Sequence, residues 1–425
     1  MNGLFLEAEA SGGLRDTQIR EVLEQSLSAY GKLKKILILP PDITRMNSYA
    51  GPISRMLCEL LPDVRVDIMP ALGTHVPMTA AEIANMYAGV PSERFIDHNW
   101  RTDVEKIGEV PAEFVNEVSE GHMNTPVAVE VNRLLLDKSY DLIISVGQVV
   151  PHEVVGMSNY NKNIFVGCGG SEMINSSHYL GALYGMERMM GRDHSPVHKV
   201  FDYAEAHFAM DIPLMYVLTV TTSDAGGVHV QSIASGRDRE LFSKSIAVSQ
   251  KHNLTFLDKP LKKAVVYLDP KEFRTTWLGN KAIYRTRMAM ADGGELLVIA
   301  PGVHRCGEDL QNDAIIKKYG YVGRDNVLQM VMGNKDLADN LSVAAHLIHG
   351  SSDGRFHITY AAGQMSQEEI ESVGFGYMPI EEALSRYDVH SLKNGFNTVN
   401  NEEIFFVSNP AIGLWAYKER FFANA

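Results

Sequence analysis

Short apolar runs that end in polar, Gly- or Pro-containing loops recur along the chain. The first half contains four of them: ILILPPD (36–42), VRVDIMPALGTH (64–75), DLIISVGQVVPH (141–152) and IPLMYVLTV (212–220). Helical patterns lie between these runs, at 54–61 and at 79–89, and Thr79 with Glu82 has the spacing of a capping box. Strands that alternate with helices predict βαβ units and a mostly parallel sheet that is buried on both faces.

A second strand–helix series begins near residue 262. The segments KKAVVYLDP (262–270), GELLVIAPG (294–302) and RFHITYAAG (355–363) predict strands. Between the first two, NKAIYRTRMAMADG predicts a helix from Asn280 that ends at Asp292.

The polar stretch 249–260 is the predicted domain boundary, and the length of 425 residues favours two domains. We predict the α/β class, with two domains that each contain a mostly parallel sheet flanked by helices and an active site in the cleft between them. The N-terminal domain is 1–258 and the C-terminal domain is 259–403. The strand-like last segment, 404–425, is expected to return to the first domain.

Composition and charge narrow the class of protein. Apolar residues make up 45% and charged residues 21%, a globular balance, and the formal net charge of -13 argues against nucleic-acid binding. Three cysteines without a CxxC spacing argue against a disulfide framework and fit a reducing compartment. The N-terminal residues lack a signal-peptide pattern, and no apolar run reaches the ~18 residues of a membrane span. We expect a cytoplasmic protein with no nucleic-acid or membrane partner, and composition leaves the oligomeric state open.

Three predicted strands deliver polar residues to one edge of the first sheet, where ligands bind in open α/β folds. The first strand is followed by Asp42 and Arg45, the second by His75 and the third by His152. A guanidinium can bind a carboxylate bidentately, and two histidines can exchange protons on opposite faces of one carbon, as a two-base racemase requires. A single strand-end histidine is more often structural, but three polar strand ends together favour a catalytic site.

The segment that follows, 151–178, combines Lys162, His178 and a glycine-rich stretch, 167–170, before a predicted helix. Glycines at a helix N-terminus suit a phosphate held by backbone N–H groups. By composition alone Lys162, with its neighbours Asn159, Asn161 and Asn163, is a surface lysine in a polar loop. Cys168 is expected to be a packing residue, since nothing nearby would lower its pKa.

These motifs together resemble the nickel-dependent lactate racemase family. Asp42-Ile43-Thr44-Arg45 matches the family's Asp-x-Thr-Arg, and Gly73-Thr74-His75-Val76-Pro77 matches its Gly-x-His-x-Pro. Lys162 follows His152 by ten residues and His178 follows Lys162 by sixteen, as in that family. The order of the motifs agrees over nearly the whole chain.

The resemblance implies a cofactor, the nickel pincer nucleotide (pyridinium-3-thioamide-5-thiocarboxylic acid mononucleotide), attached to Lys162. It implies that His178 is the protein's nickel ligand and that Asp42 and Arg45 line the cofactor site of the N-terminal domain, Arg45 also being a candidate carboxylate clamp. Two sulfurs, a carbon and an imidazole around the metal suit square-planar Ni(II).

The implied reaction is racemisation or epimerisation of a 2-hydroxy acid, by removal of the Cα hydride and its return to the other face. His75 and His152 would be the paired acid and base, and the cofactor would accept the hydride. The implied partners are the small-molecule substrate and the proteins that make the cofactor.

The second domain departs from the family pattern. Where the family has Tyr-Gln-x-x-Lys facing the substrate, this chain has Tyr284-Arg285-Thr286-Arg287-Met288. The loop 301–309 adds His304, Arg305 and Glu308. We therefore expect a larger or polyhydroxylated acid, such as a sugar acid, rather than lactate, with Arg285, His304 and Arg305 as substrate-binding residues; the alternative is that the arginines are solvated.

Three other functions remain open from the sequence. One is a different redox reaction on the same cofactor. The second is an enzyme without nickel that uses NAD(P), against which stands the lack of a GxGxxG that opens a βαβ unit. The third is a non-catalytic ligand-binding homologue.

Overall fold

The computed structural model describes residues 3–10, 12–224 and 226–423. The chain forms two compact units. Unit 1 contains the described residues of Met1–Tyr184 and Met189–Asn253, and unit 2 contains Gly185–Arg188 and the described residues of Leu254–Ala425. Among the described residues, no helix combines the length and the hydropathy of a bilayer-spanning segment.

Unit 1 is an α/β unit built around a six-stranded sheet. Its strands are β1 (Leu4–Glu7), β2 (Lys35–Leu39), β3 (Arg65–Ile68), β4 (Val104–Val110), β5 (Val127–Asn132), β6 (Leu142–Gln148), β7 (Pro151–His152), β8 (Gly156–Met157), β9 (Leu214–Asp224) and β10 (Gly227–Gly236). Its helices are α1 (Asp16–Ser28), α2 (Ala50–Leu60), α3 (Ala80–Met86), α4 (Ala112–Val118), α5 (Ser171–Tyr184), α7 (Pro196–Phe208) and α8 (Arg239–Asn253), while α6 (Met186–Met189) contains the boundary between the units. Shorter 3₁₀ segments span Ile43–Ser48, Ser92–Arg94 and Arg133–Leu136.

The strand order in the main sheet of unit 1 is β1-β10-β9-β6-β2-β3. β9, β6, β2 and β3 are parallel, and β10 and β1 add an antiparallel edge. Apolar side chains of the central strands, such as Ile36, Ile144 and Val217, are fully buried with Leu23 and Leu57 of the flanking helices. Two-sided burial explains why these strands are continuous apolar runs in the sequence.

The predicted capping box of α3 is present in the structure. The Thr79 side chain accepts from the Glu82 N–H, and the Glu82 carboxylate accepts from the Thr79 N–H at 2.9 Å. The reciprocal bonds satisfy two of the helix's unpaired donors and fix its first residue.

Unit 2 is a second α/β unit. Its strands are β11 (Leu254–Leu257), β12 (Leu261–Tyr267), β13 (Met290–Ala300), β14 (His357–Ala362), β15 (Gly376–Tyr377), β16 (Gly395–Val399), β17 (Glu402–Val407) and β18 (Leu414–Tyr417). Its helices are α9 (Thr276–Gly279), α10 (Lys281–Thr286), α11 (Leu310–Tyr319), α12 (Arg324–Gly333), α13 (Lys335–Ala338), α14 (Leu341–His349), α15 (Gln367–Ser372), α16 (Ile380–Arg386) and α17 (Lys418–Ala423). The sheet order is β15-β14-β13-β12-β17-β16, with all pairs parallel except β16 with β17. The predicted fold class, two α/β units with mostly parallel sheets, is confirmed.

Two details of the second unit differ from the prediction. The helix expected from Asn280 ends at Thr286, and β13 already begins at Met290, because the Leu261 N–H donates to the Ala289 carbonyl and draws this segment into the sheet. Sheet pairing here overrides the local helical pattern.

The segment 404–425 also lies elsewhere than expected. β17 pairs with β12, and β18 pairs with β11, so the described part of this segment belongs to unit 2 and the predicted return to the first domain is wrong. The main segment of unit 2 begins at Leu254, a few residues before the predicted boundary at 258.

Candidate active site

Three strands of the unit 1 sheet carry polar residues at one edge. β3 and β6 both pair in parallel with β2, so the carboxyl ends of the three strands share that edge. The chain passes from β2 outward to β3 and then returns to β6 on the other side of β2. Such a switch in strand order is where ligands bind in open α/β sheets. Asp42 follows β2, His75 follows β3 and His152 follows β6, as the sequence predicts.

Asp42 and His75 form a hydrogen-bonded pair at this edge. The Asp42 side chain is 5% exposed, and its Oδ2 lies 2.5 Å from His75 Nδ1. The other carboxylate oxygen accepts from the N–H and the hydroxyl of Thr44, at 3.0 and 2.5 Å. Burial alone would raise the pKa of Asp42, but the charge and hydrogen bond of His75, with the two bonds from Thr44, hold that pKa below its ordinary value. Because a carboxylate only accepts, Nδ1 of His75 carries a proton, and the lone pair of the neutral ring lies on Nε2.

His152 lies in a short hairpin directly after β6. β7 and β8 pair His152 with Gly156, whose φ of 84° lies in the left-handed region that glycine adopts without strain. The histidine is buried, and its Nδ1 accepts from the Val154 N–H at 3.1 Å. The neutral ring therefore carries its proton on Nε2, the opposite tautomer from His75.

Lys162 is half-buried and comes directly before one turn of π-helix, Asn163–Gly167. The Asn163 side chain donates to the Leu39 carbonyl at the end of β2, at 3.0 Å, and to the Ser145 hydroxyl of β6, at 2.8 Å. These two bonds fix the turn over the point where the strand order switches. Isolated π-turns are frequent at functional sites.

The same turn is bonded to the loop that carries His75. The Gly73 N–H donates to the Gly167 carbonyl at 2.9 Å, and a Cβ added at Gly167 would lie 2.7 Å from the Ala71 Cβ. Burial raises the pKa of the Cys168 thiol well above its ordinary value, in agreement with a packing residue rather than a nucleophile.

His178 lies in the middle of α5. Its Nδ1 lies 2.7 Å from the Ile174 carbonyl, one helical turn earlier. Because a carbonyl only accepts, Nδ1 carries the proton and Nε2 carries the lone pair that a metal requires. No group of three or more His, Cys, Asp or Glu side chains that could hold a metal occurs in the described part of the chain.

The first turn of α5 does not form the phosphate site that its glycines indicate. The Glu172 N–H donates to Glu130 Oε2 at 3.1 Å, and a Cβ added at Gly170 would lie 2.2 Å from the same oxygen. Burial, the largest effect, raises the pKa of Glu130, whereas the backbone N–H groups at this helix end lower it. The glycines make room for an acidic side chain of the protein, so the expected anion site is not formed here.

Arg45, the other predicted anion ligand, is half-buried in the 3₁₀ segment after β2.

The predicted substrate residues of unit 2 have different surroundings. Arg285 is 1% exposed, and its guanidinium donates to the carbonyls of Gly413 and Ala411, at 3.1 and 3.3 Å. These bonds indicate that Arg285 stabilises the fold of unit 2. Its function in substrate binding stays a prediction. His304 is exposed on the loop after β13, and Arg305 donates to the Glu308 carbonyl.

We expect Arg285→Ala to lower the free energy of unfolding by about 3 kcal/mol, because the buried Ala411 carbonyl and the half-buried Gly413 carbonyl lose their charged donor. Urea titration monitored by circular dichroism measures this change. The control is Arg386→Ala, which removes an ion pair with Glu402 from a side chain that is 38% exposed and should cost less than about 1 kcal/mol. Stability equal to the control, together with weaker substrate binding, would favour the substrate function of Arg285 instead.

Sequence reasoning missed the residues that hold the site together. Asn161, Asn163 and Glu130 make side-chain bonds to segments that are distant in the sequence. The only local signal was the alternation of asparagines around Lys162, which composition alone assigns to a polar surface loop.

Comparisons with known proteins found a family model and solved structures that match this chain. Residues 15–191 match the family model of the lactate racemase N-terminal domain. A crystal structure of a structural-genomics protein from Thermotoga maritima superposes with a TM-score of 0.83 at 24% identity, over 97% of this chain and 100% of that one. The lactate racemase apoprotein from Thermoanaerobacterium thermosaccharolyticum superposes with a TM-score of 0.67 at 16% identity, over 98% of this chain and 95% of that one. No curated protein matches the sequence.

Unit 1 is thus an α/β unit with a polar site at the switch point of its sheet. Residues 15–191 match the lactate racemase N-terminal domain, and over this part of the chain the resemblance inferred from the sequence is confirmed. At these identities the two structures establish the shared fold.

Proposed function

We propose that the protein is a racemase or epimerase of a 2-hydroxy acid. The observation that carries the proposal is that His75 and His152 follow strands whose carboxyl ends share one edge of the sheet, and that Asn163 bonds the turn after Lys162 to strands β2 and β6 of that sheet. Racemisation needs one group that accepts the hydroxyl proton and another that can return a proton. His75 Nε2, with its lone pair, is the proposed acceptor and becomes an imidazolium. His152 is the proposed donor in its own imidazolium form and becomes a neutral ring when it gives up its Nε2 proton, and the two functions exchange when the reaction runs in the other direction.

The contacts at Nδ1 of each histidine support these proton-transfer functions of Nε2. The Asp42 carboxylate stabilises the imidazolium that forms when His75 takes a proton, as an acidic partner does for a catalytic histidine. His152 Nδ1 accepts from the Val154 N–H, and a carboxylate oxygen of Glu153 lies 3.6 Å from the same nitrogen, where it can stabilise a protonated ring. Each ring therefore has a carboxylate on its Nδ1 side, at 2.5 Å for His75 and 3.6 Å for His152.

The residues present fit a nickel pincer nucleotide. Lys162, half-buried at the switch point, is the proposed attachment site, and the Nε2 lone pair of His178 is the proposed nickel ligand. Arg45, on the turn after Asp42, is the proposed clamp for the cofactor phosphate or the substrate carboxylate. When bound, this group supplies a hydride acceptor, so the protein has only to bind, orient and exchange protons.

We also propose that the substrate is larger or more hydroxylated than lactate. Within unit 2, Arg305 Nε is buried and has no hydrogen-bond partner among the described residues, so it has a donor for a ligand oxygen. Thr275 donates to the nearby Glu308 carboxylate, and His304 is exposed on the same loop. Donors and acceptors side by side suit the hydroxyl groups of a sugar acid.

The test is intact-protein mass and nickel content after co-expression with the enzymes that make the cofactor. A nucleotide-sized adduct on the peptide that contains Lys162, with about one nickel per chain, supports the proposal. Proton–deuterium exchange at the hydroxyl-bearing carbon, followed by NMR, then compares lactate with aldonates. An unmodified protein without nickel under these conditions excludes the cofactor and with it the proposed reaction.

We expect His178→Ala to lose nickel while it keeps the organic adduct on Lys162, because the covalent attachment does not involve the imidazole. The nickel content should fall by about tenfold or more after gel filtration, whereas the adduct mass persists. His207→Ala is the control, since His207 makes the same bond to a carbonyl four residues earlier on α7 but is exposed. Retention of nickel in His178→Ala would remove His178 as the metal ligand.

A further inference from the structure

The segment before Lys162 has an unusual backbone for residues that are not glycine. Asn159 and Tyr160 have φ values of 74° and 55°, so two consecutive residues are in the left-handed region. Strain of this kind persists only where the surroundings hold it, and it is concentrated at functional sites. The chain therefore reaches Lys162 through a bend that tertiary contacts enforce.

Both strained residues are held by specific packing. A Cβ added at Gly147 of β6 would lie 2.1 Å from Asn159 Nδ2, so the missing side chain at 147 makes the space that Asn159 occupies. The Tyr160 ring stacks on Phe242 with centroids 5.0 Å apart, and its hydroxyl donates to the Arg237 carbonyl at 3.2 Å. The bend is part of the core of unit 1.

On the N-terminal side of Lys162, the fully buried Asn161 is bonded to α7. Its Nδ2 donates to Asp202 Oδ1 at 2.6 Å, and its Oδ1 lies 3.3 Å from His198 Nδ1. His198 Nε2 lies 2.8 Å from the Met157 carbonyl and donates to it, which closes a loop of contacts around the segment. Asn161 thus attaches one side of the lysine to a helix.

On the C-terminal side, Asn163 attaches the lysine to the sheet. Its Nδ2 bonds to the Leu39 carbonyl and the Ser145 hydroxyl join the turn to β2 and β6. β2 is the strand that leads into Asp42. The turn after Lys162 and the Asp42–His75 pair are therefore both attached to the carboxyl end of β2. Asn161 therefore bonds to helix α7, and Asn163 bonds to strands β2 and β6 of the sheet.

We propose that Asn161 and Asn163 are positioning residues that hold Lys162 at the switch point in the one place where the cofactor can be attached. This inference rests on the proposed function of Lys162. It assigns to a buried amide, Asn161, and a half-buried one, Asn163, a function that stability alone does not require, because a loop of the same length could be packed with apolar side chains. Its consequence is that loading of the cofactor should depend on these amides more than the stability of the protein does.

The test compares three variants with the wild-type full-length protein. Asn163→Ala removes the bonds to the sheet, and Asn161→Asp places a carboxylate against Asp202. The double variant Asn161→Asp/Asp202→Asn restores that hydrogen bond with donor and acceptor exchanged. The control is Asn253→Ala, since Asn253 is a buried asparagine of unit 1 whose two side-chain bonds, to Thr221 and Ser249, do not involve the lysine segment.

Two readouts separate positioning from stability. The first is the fraction of Lys162 that carries the adduct after co-expression, measured by intact mass. The second is the acetylation rate of Lys162 in cofactor-free protein by N-hydroxysuccinimidyl acetate, relative to the exposed Lys251, measured by peptide mass spectrometry. Thermal unfolding of every variant is recorded beside them.

For Asn163→Ala and Asn161→Asp we expect about tenfold less loading, together with faster acetylation of Lys162 relative to Lys251, because the released lysine is more exposed but misplaced. The double variant should recover wild-type loading and wild-type relative acetylation of Lys162. Asn253→Ala should change neither quantity, although it should lose about as much thermal stability as the single variants. Loading and relative acetylation as in Asn253→Ala would overturn the inference. The acetylation readout needs no cofactor, so an unloaded wild type would remove the proposed function and still leave the positioning of Lys162 decided.

Discussion

A Lys162→Ala variant is expected to contain no cofactor adduct and to show no racemase or epimerase activity above background. The amine is the only group of this side chain that can form the covalent link, and the surrounding turn remains held by Asn163. The loss should therefore be complete rather than graded, at least about a thousandfold in turnover. Intact mass and an NMR assay of exchange at the hydroxyl-bearing carbon measure the two effects.

Two further variants make the Lys162→Ala result specific. Lys162→Arg keeps the positive charge but cannot form the same link, so it should behave like the alanine variant if attachment, and not charge, is what matters. Lys199→Ala removes an exposed lysine of α7 and should load and turn over normally. Full activity in Lys162→Arg would show that the lysine acts as a cation, and the covalent attachment would have to be abandoned.

The strand ends were predictable because they depend on local pattern. The continuous apolar runs that became β2, β3 and β6 end in the residues that the structure places at one edge. Once a parallel sheet is expected, its carboxyl ends necessarily share that edge, so Asp42, His75 and His152 could be grouped from the sequence alone.

The errors arose where distant segments decide the outcome. The helical pattern after Asn280 is real as far as Thr286, but pairing with β12 draws Met290 into a strand. The strands with which the segment 404–425 pairs depend on which strand edges of the folded sheets are unpaired. A local sequence pattern contains no information on these edges. Sheet pairing of this kind is a property of the folded chain.

Two features of the site could not be predicted from the sequence, because they also depend on contacts between distant segments. The glycines before α5 look like a phosphate loop, and only the structure shows that Glu130, some forty residues earlier, accepts the N–H bonds. The asparagines beside Lys162 look like a solvated loop, and only the structure shows Asn161 buried against α7. Side chains whose partners are distant in the sequence are indistinguishable from surface residues when they are judged by composition.

Asp42→Asn is expected to lower turnover by about a hundredfold to a thousandfold while the adduct on Lys162 stays in place. A carboxylate forces the Nδ1–H tautomer of His75 and stabilises its imidazolium. A neutral amide does neither reliably, because its NH₂ group can donate to Nδ1 and move the ring proton to Nε2. ¹⁵N NMR of the histidine ring should show this change of tautomer, and kcat should fall more than KM rises.

The same substitution should change how stability depends on pH. The pKa of Asp42 in the folded protein lies below its ordinary value of 3.8, so the ionised carboxylate contributes stability above that pH, and the contribution is lost as the pH falls through the lowered pKa. The difference in unfolding free energy between wild type and Asp42→Asn should therefore be largest near neutral pH and should shrink in acid below pH 3.8. Urea titrations at a series of pH values measure this difference.

Asp141→Asn separates catalysis from stability, because Asp141 caps the opposite end of β2. It accepts from the N–H groups of Lys35 and Lys34, and these bonds lower its pKa as well. Its replacement should reproduce the sign of the pH effect on stability but leave turnover and the His75 tautomer unchanged. Equal losses of turnover in Asp42→Asn and Asp141→Asn would mean that Asp42 only supports the fold. A loss confined to Asp42→Asn would place the carboxylate in the proton exchange, because Asp42 contacts His75 and Asp141 instead accepts from the backbone at the start of β2.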